Sequence, residues 1–195
     1  MIWINTAIGG GTICDYGEGH HCIAKTNMRT MSNPDYILFE GGTNDADLIG
    51  DATGEVKPEK FGSFTLTNWG TDVAESYYGF DVTTFCGAFE YLIKRLLNNY
   101  PTSRIGYIVA PKMGVTNNYT PEVNNRAYYF ETAKRICEKW GVPYIDLWNK
   151  SPMNPRLPIF YTENDPDAFY RDGQHPSVKG YDYLTTSIEE FTKGL

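Results

Sequence analysis

Cysteine and histidine are scarce in this chain of 195 residues. There are four of the first, Cys14, Cys22, Cys86 and Cys137, and three of the second. No two cysteines form a close Cys-x-x-Cys pair, so neither a zinc ribbon nor a disulfide scaffold is expected, and the thiols read as free. The run His20-His21-Cys22 with Cys14 is the one grouping that hints at a metal, but adjacent side chains seldom converge on one ion, and a polar loop is the preferred reading. No metal and no other cofactor is expected. Basic residues are in deficit: 17 Lys+Arg against 24 Asp+Glu give a formal charge of −7. That balance repels phosphate backbones and anionic headgroups, so neither nucleic acid nor a membrane is the expected partner. Nothing approaches the roughly 18–20 apolar residues of a spanning helix, and the start MIWINTAIGG has no basic segment before its apolar residues. With no visible address the compartment stays open, and the cytoplasm is the default reading.

What is present is an ordinary globular composition, 41% hydrophobic and 21% charged, of a length that suits one domain over residues 1–195. Aromatics reach 15%, with 15 Tyr and four Trp. Many fall in apparent loops, where flat amphipathic rings suit the faces of sugars or other polar organic ligands; an aromatic-rich core explains the number equally well.

Ile2-Trp3-Ile4 reads as a short strand that ends in the glycine turn Asn5 to Thr12. Tyr36 to Glu40 reads as a buried strand ending in Gly41-Gly42. From Asp81, taken as the cap, Phe85, Ala88, Phe89, Leu92, Ile93, Leu96 and Leu97 recur at helical spacing, and Asn98 to Pro101 stops the helix. Arg104 to Ala110 supplies a strand, Thr120-Pro121 opens a helix over about 122–140 with Gly141 as its stop, and Val142 to Leu147 supplies a further strand. Ser177 opens a last helix with the stripe Val178, Tyr181, Leu184, Ile188 and Phe191. Strands alternating with long helices predict an α/β fold, a parallel sheet with helices on both faces and ligands at the carboxyl edge. Two irregular stretches, 46–80 and 148–174, follow strands, and loops of that length in a compact domain are usually functional.

Three motifs could carry chemistry. Asp172-Gly-Gln-His175-Pro sets a carboxylate three residues before an imidazole, the pair that acyl transfer uses as a proton shuttle; an ordinary turn and helix entry is the competing reading. Gly42-Thr43-Asn44-Asp45 ends a strand and offers the Asn44 amide for a developing oxyanion, against simple turn formation. In the first glycine turn, Asn5-x-Ala7-x-x-Gly10-x-Thr12, a glycine N–H can approach a substrate oxygen without side-chain interference. A phosphate cradle is disfavoured there, because the P-loop lysine is missing.

A glycine turn, then Gly-x-Asn-Asp, then Asp-x-x-His-Pro before the last helix, in that order and over roughly 1–192, resembles the SGNH hydrolases, the GDSL-type lipase/acylhydrolase family. The resemblance implies a three-layer flavodoxin-like fold, Gly10 and Asn44 as oxyanion donors, and Asp172 and His175 as acid and base of a triad. It implies an ester hydrolase, and a small ester or acylated carbohydrate is the expected substrate, with Trp69, Tyr77 and Trp148 as candidate lining residues beside Tyr78 and Tyr161. The family's serine lies in a Gly-Asp-Ser block after the first strand, and no Gly-Asp-Ser occurs here. None of Ser32, Ser63, Ser76, Ser103, Ser151, Ser177 and Ser187 carries that signature. The expectation is therefore an N-terminally incomplete domain lacking its first, central strand, with unpaired strand edges that invite a homo-oligomer. A catalytically inactive glycan- or ester-binding module of the same fold is the alternative. A metal-dependent hydrolase using His20, His21 and Cys22 ranks last.

Overall fold

The computed structural model describes residues 4–17, 21–25, 33–49, 58–66, 79–114 and 122–195. Three parallel strands form the sheet among these residues: β1 (Tyr36–Glu40), β2 (Arg104–Val109) and β3 (Tyr144–Asp146), in that spatial order. Tyr36 pairs with Arg104 and Glu40 with Ile108, while Tyr107 pairs with Tyr144 and Val109 with Asp146. Six helices accompany them: α1 (Thr43–Ile49), α2 (Pro58–Phe61), α3 (Phe85–Asn99), α4 (Glu122–Trp140), α5 (Leu147–Lys150) and α6 (Val178–Gly194).

Successive strand residues point to opposite faces, and each face has its own core. On one side Phe39 meets Phe89 of α3 at 5.8 Å and Tyr107 of β2 at 5.2 Å, and Phe85 packs on Tyr129 of α4 at 4.7 Å. Burying each such ring contributes about 1.5–3 kcal/mol. On the other side Leu184 and Ile188 of α6 pack with Ile108, Ile145, Leu147 and Tyr170. This is the three-layer α/β arrangement that the alternation of elements predicts.

The long helices lie where the 3.6-residue period puts them, with one shift. The cap of α3 is Thr84, whose Oγ1 accepts the Gly87 N–H at 3.3 Å, and not Asp81. Asp81 instead accepts the Thr83 N–H at 2.9 Å in the turn before the helix. Helix α4 covers the expected residues, and Ser177 caps α6 by accepting the Gly180 N–H at 3.2 Å.

Other elements depart from expectation. Of the strand read at Ile2–Ile4, only Ile4 lies among the described residues; it joins no sheet and is 68% exposed. Thr43 to Ile49, read as a turn and the start of a loop, is helix α1. Four residues of the 148–174 stretch and its border form helix α5, capped by the Asp146 carboxylate, which accepts the Asn149 N–H at 2.9 Å. Charge is also buried in the scaffold: Lys139 pairs with Glu90, both side chains 1% exposed, and the Trp140 indole N–H donates to the same carboxylate at 3.1 Å. No helix among the described residues is long and apolar enough to cross a membrane.

Candidate active site

The carboxyl ends of β1 and β2 lie side by side, and the candidate residues collect there. After β2, the Gly114 N–H donates to the Gly173 carbonyl at 3.0 Å, and the Tyr170 hydroxyl donates to the carbonyl of Lys112. These bonds fasten the segment 170–177 over the end of β2. That segment is itself a tight hairpin: the Arg171 N–H donates to the His175 carbonyl and the Ser177 N–H to that of Phe169, both at 2.9 Å.

At its tip one oxygen of Asp172 accepts the backbone N–H groups of Gln174 at 3.0 Å and His175 at 2.7 Å. The other oxygen stands 2.8 Å from His175 Nδ1. Burial works against the charged carboxyl, but the His175 and Gln174 amides and the imidazole outweigh it and hold Asp172 below the usual carboxylate range. A carboxylate on Nδ1 fixes the ring and leaves Nε2 to exchange a proton with a substrate. Both side chains remain open to solvent, His175 at 55%.

The second group brings the glycine turn of residues 8–11 against the segment that follows β1. Ile8 to Gly11 make a turn closed by the Gly11 N–H on the Ile8 carbonyl at 3.2 Å, with Gly10 at φ +75°. Only glycine takes that φ without strain, and the space around Gly10 is open, so its backbone is accessible. Asn44, in the first turn of α1, donates one amide N–H to the Gly11 carbonyl at 3.0 Å, which orients the side chain and leaves its second N–H available. Asn44 and the glycine turn are thus in direct contact, 33 residues apart in sequence. Tyr181, at the start of α6, is exposed, and its phenol is pushed up by partial burial and by the Glu40 carboxylate at the end of β1, against a lowering by Arg171 of the hairpin.

The remaining expected residues fall elsewhere. Trp148 is 7% exposed, its ring 5.3 Å from that of Phe130, so it packs as a core side chain. Tyr161 is half-buried against the core beneath α6. Trp69, Tyr77, Tyr78 and His20 lie outside the described residues. Two residues were not singled out from the sequence. Asp45 is fully buried and accepts the Ile13 and Cys14 N–H groups at 2.9 and 3.0 Å, and the buried Tyr107 donates its hydroxyl to the Gly41 carbonyl at 2.8 Å. Asp45 stands next to Asn44 in a motif already marked, but nothing in the sequence shows partners so far upstream.

Ser177, two residues from His175, donates to the Ala168 carbonyl at 2.7 Å while capping α6. Cys14, Cys86 and Cys137 are buried, which pushes their thiols up, that of Cys86 to about 12. Burial raises the half-buried Cys22 too. A thiol so raised supplies little thiolate at neutral pH.

Residues 2–183 match the GDSL-like lipase/acylhydrolase family. The chain belongs to that family. No curated protein matches the sequence significantly. Among solved structures, a protein from Lactobacillus plantarum superposes with a TM-score of 0.65 at 20% identity, covering 95% of this chain and 77% of the other. Proteins named as GDSL-like lipases from Bacteroides ovatus and Bacteroides uniformis give TM-scores of 0.54 and 0.53, each at 22% identity over 95% of this chain and 69% and 67% of theirs. At such identities the structures testify to the fold; the family match points to hydrolase chemistry in general.

Proposed function

We propose that this GDSL-family chain carries the proton-transfer and oxyanion-binding parts of an ester hydrolase. His175, oriented by Asp172, takes the proton of the attacking hydroxyl and returns it to the leaving alcohol. The Gly10 N–H and the free N–H of Asn44 bind the oxygen of the tetrahedral intermediate. The observation that carries this reading is the 2.8 Å contact of His175 Nδ1 with Asp172 on a hairpin fastened to the sheet edge that also bears Asn44. A base held in one orientation is a requirement of catalysis and not of binding alone.

The attacking serine has no counterpart in Gly-Asp-Ser form in these 195 residues. A serine placed beside β1, on the edge away from β2, would complete the site. A short acyl group on a carbohydrate is the proposed substrate, because the stretches 46–80 and 148–174 are polar and hold no long apolar run for a lipid chain. The absence of Gly-Asp-Ser also favours a second reading, a binding module without turnover.

Hydrolysis of p-nitrophenyl acetate separates them. The 195-residue chain is expected to be slow, a version extended by a Gly-Asp-Ser strand fast, and His175→Ala in that version slower by about 10²–10⁴-fold. Full activity of the 195-residue chain abolished by a serine-directed phosphonate, or an unchanged rate in His175→Ala, would contradict the assignment. Binding of an acetylated glycan without turnover by the extended version supports the binding module.

A further inference from the structure

Asn44 and Asp45 are consecutive, yet they grip opposite ends of one distant loop. Asn44 donates to the carbonyl of Gly11, and Asp45 accepts from the amides of Ile13 and Cys14. Three groups of the segment 11–14 are thereby turned toward the first turn of α1. Gly10, the residue before this grip, lies in the turn that Gly11 closes on Ile8.

Asp45 is 0% exposed, and a carboxylate so buried is costly unless hydrogen bonds replace its water. Here each oxygen has taken a backbone N–H. Tyr107 reaches from β2 to hold the Gly41 carbonyl, and Gly41 has no side chain where the Ile13 side chain passes. Asp45 and Tyr107 thus fasten the two strands of chain, 11–14 and 41–45, on which Gly10 and Asn44 sit.

We propose that Asp45 is a positioning residue for the oxyanion donors, setting the Gly10 N–H and the Asn44 amide in one geometry through its bonds to Ile13 and Cys14, with Tyr107 as its support. This rests on the ester-hydrolase reading for its purpose, but the coupling it describes is independent of turnover. A donor displaced by about 1 Å costs on the order of 10²-fold in rate. Such a loss belongs to kcat, because the donors act on the intermediate more than on the bound ester.

The test has two arms on the full chain. In ¹⁵N NMR, Asp45→Asn should shift the Ile13 and Cys14 amide signals and speed their hydrogen exchange tenfold or more. It should also shift the Gly10 amide and the Asn44 side-chain NH₂ signals, with those of α6, on the other face of the sheet, unmoved. Tyr107→Phe, which keeps the ring and loses the hydroxyl, should move the Gly10 and Asn44 signals less, in the same direction, and it serves if Asp45→Asn fails to fold. Gly10 and Asn44 signals that stay in place while those of Ile13 and Cys14 move would overturn the proposal, reducing Asp45 to a local staple.

In the extended, serine-bearing version, kcat for p-nitrophenyl acetate should fall on the order of 10²-fold in Asp45→Asn with KM nearly unchanged. A fall confined to KM would also overturn it. If His175→Ala leaves the rate unaltered, the hydrolase reading fails, and the NMR arm still decides whether Asp45 positions Gly10 and Asn44.

Discussion

The two ends of the candidate site are built in opposite ways. The Asp172–His175 end is one hairpin whose decisive bonds span two or three residues, and its side chains stand about half exposed. The Gly10–Asn44 end is assembled from three separate pieces of chain, 8–14, 41–45 and Tyr107, around a carboxylate with no exposed surface. A local device keeps its geometry as long as its few residues do. An assembled one depends on the packing of the whole domain, and it is the end a distant substitution reaches first.

That contrast can be broken at either end. At the assembled end the largest effect is expected from Asn44→Ala in the serine-bearing version, which should lower kcat by about 10²–10³-fold, or roughly 2.7–4 kcal/mol of transition-state stabilisation. The Gly11 carbonyl also loses its partner, so the glycine-turn amide signals should shift; an unchanged kcat would remove Asn44 from the chemistry. Ser177→Ala removes the cap of α6 and should lower stability by about 1 kcal/mol in denaturant unfolding. If the hairpin is the self-contained unit described, the nuclear Overhauser contacts between Asp172 and His175 should survive this loss.

The smallest effect is in pH, where the two carboxylates have opposite signs. Asp172 is held below its ordinary range, so the stability it contributes is present above that range and lost as pH falls through its lowered folded value. Asp45 is raised, with burial the leading cause, so the native state keeps its proton to higher pH than the unfolded chain does, and stability falls as pH rises through that window. Melting temperatures measured from about pH 3 to 7 should show Asp172→Asn removing part of the acid-side loss. Over the same range Asp45→Asn should remove part of the fall on the way up.

How much of this was legible in the sequence follows the same division. Helices α3, α4 and α6 announce themselves by period, and Asp172–His175 by spacing, because the interactions that form them are close in sequence. Helix α1 was hidden because Thr43, Asn44 and Asp45 favour turns in isolation. What holds them helical is tertiary: the Asp45 carboxylate finds its donors 31 and 32 residues upstream. Asp81 looked like a cap, but it spends its carboxylate on Thr83, and Thr84 takes the role. Trp148 looked like a ring for a ligand and is packed on Phe130, since composition cannot tell which aromatics a core absorbs.

The central claim is that both ends serve one ester group. Titration of the ¹⁵N-labelled chain with 4-nitroacetanilide, the slowly cleaved amide analogue of p-nitrophenyl acetate, tests it without need of a serine. The His175 ring, the Gly10 amide and the Asn44 side-chain NH₂ should shift together along one binding curve. Shifts confined to one end, or two curves with different midpoints, would contradict it.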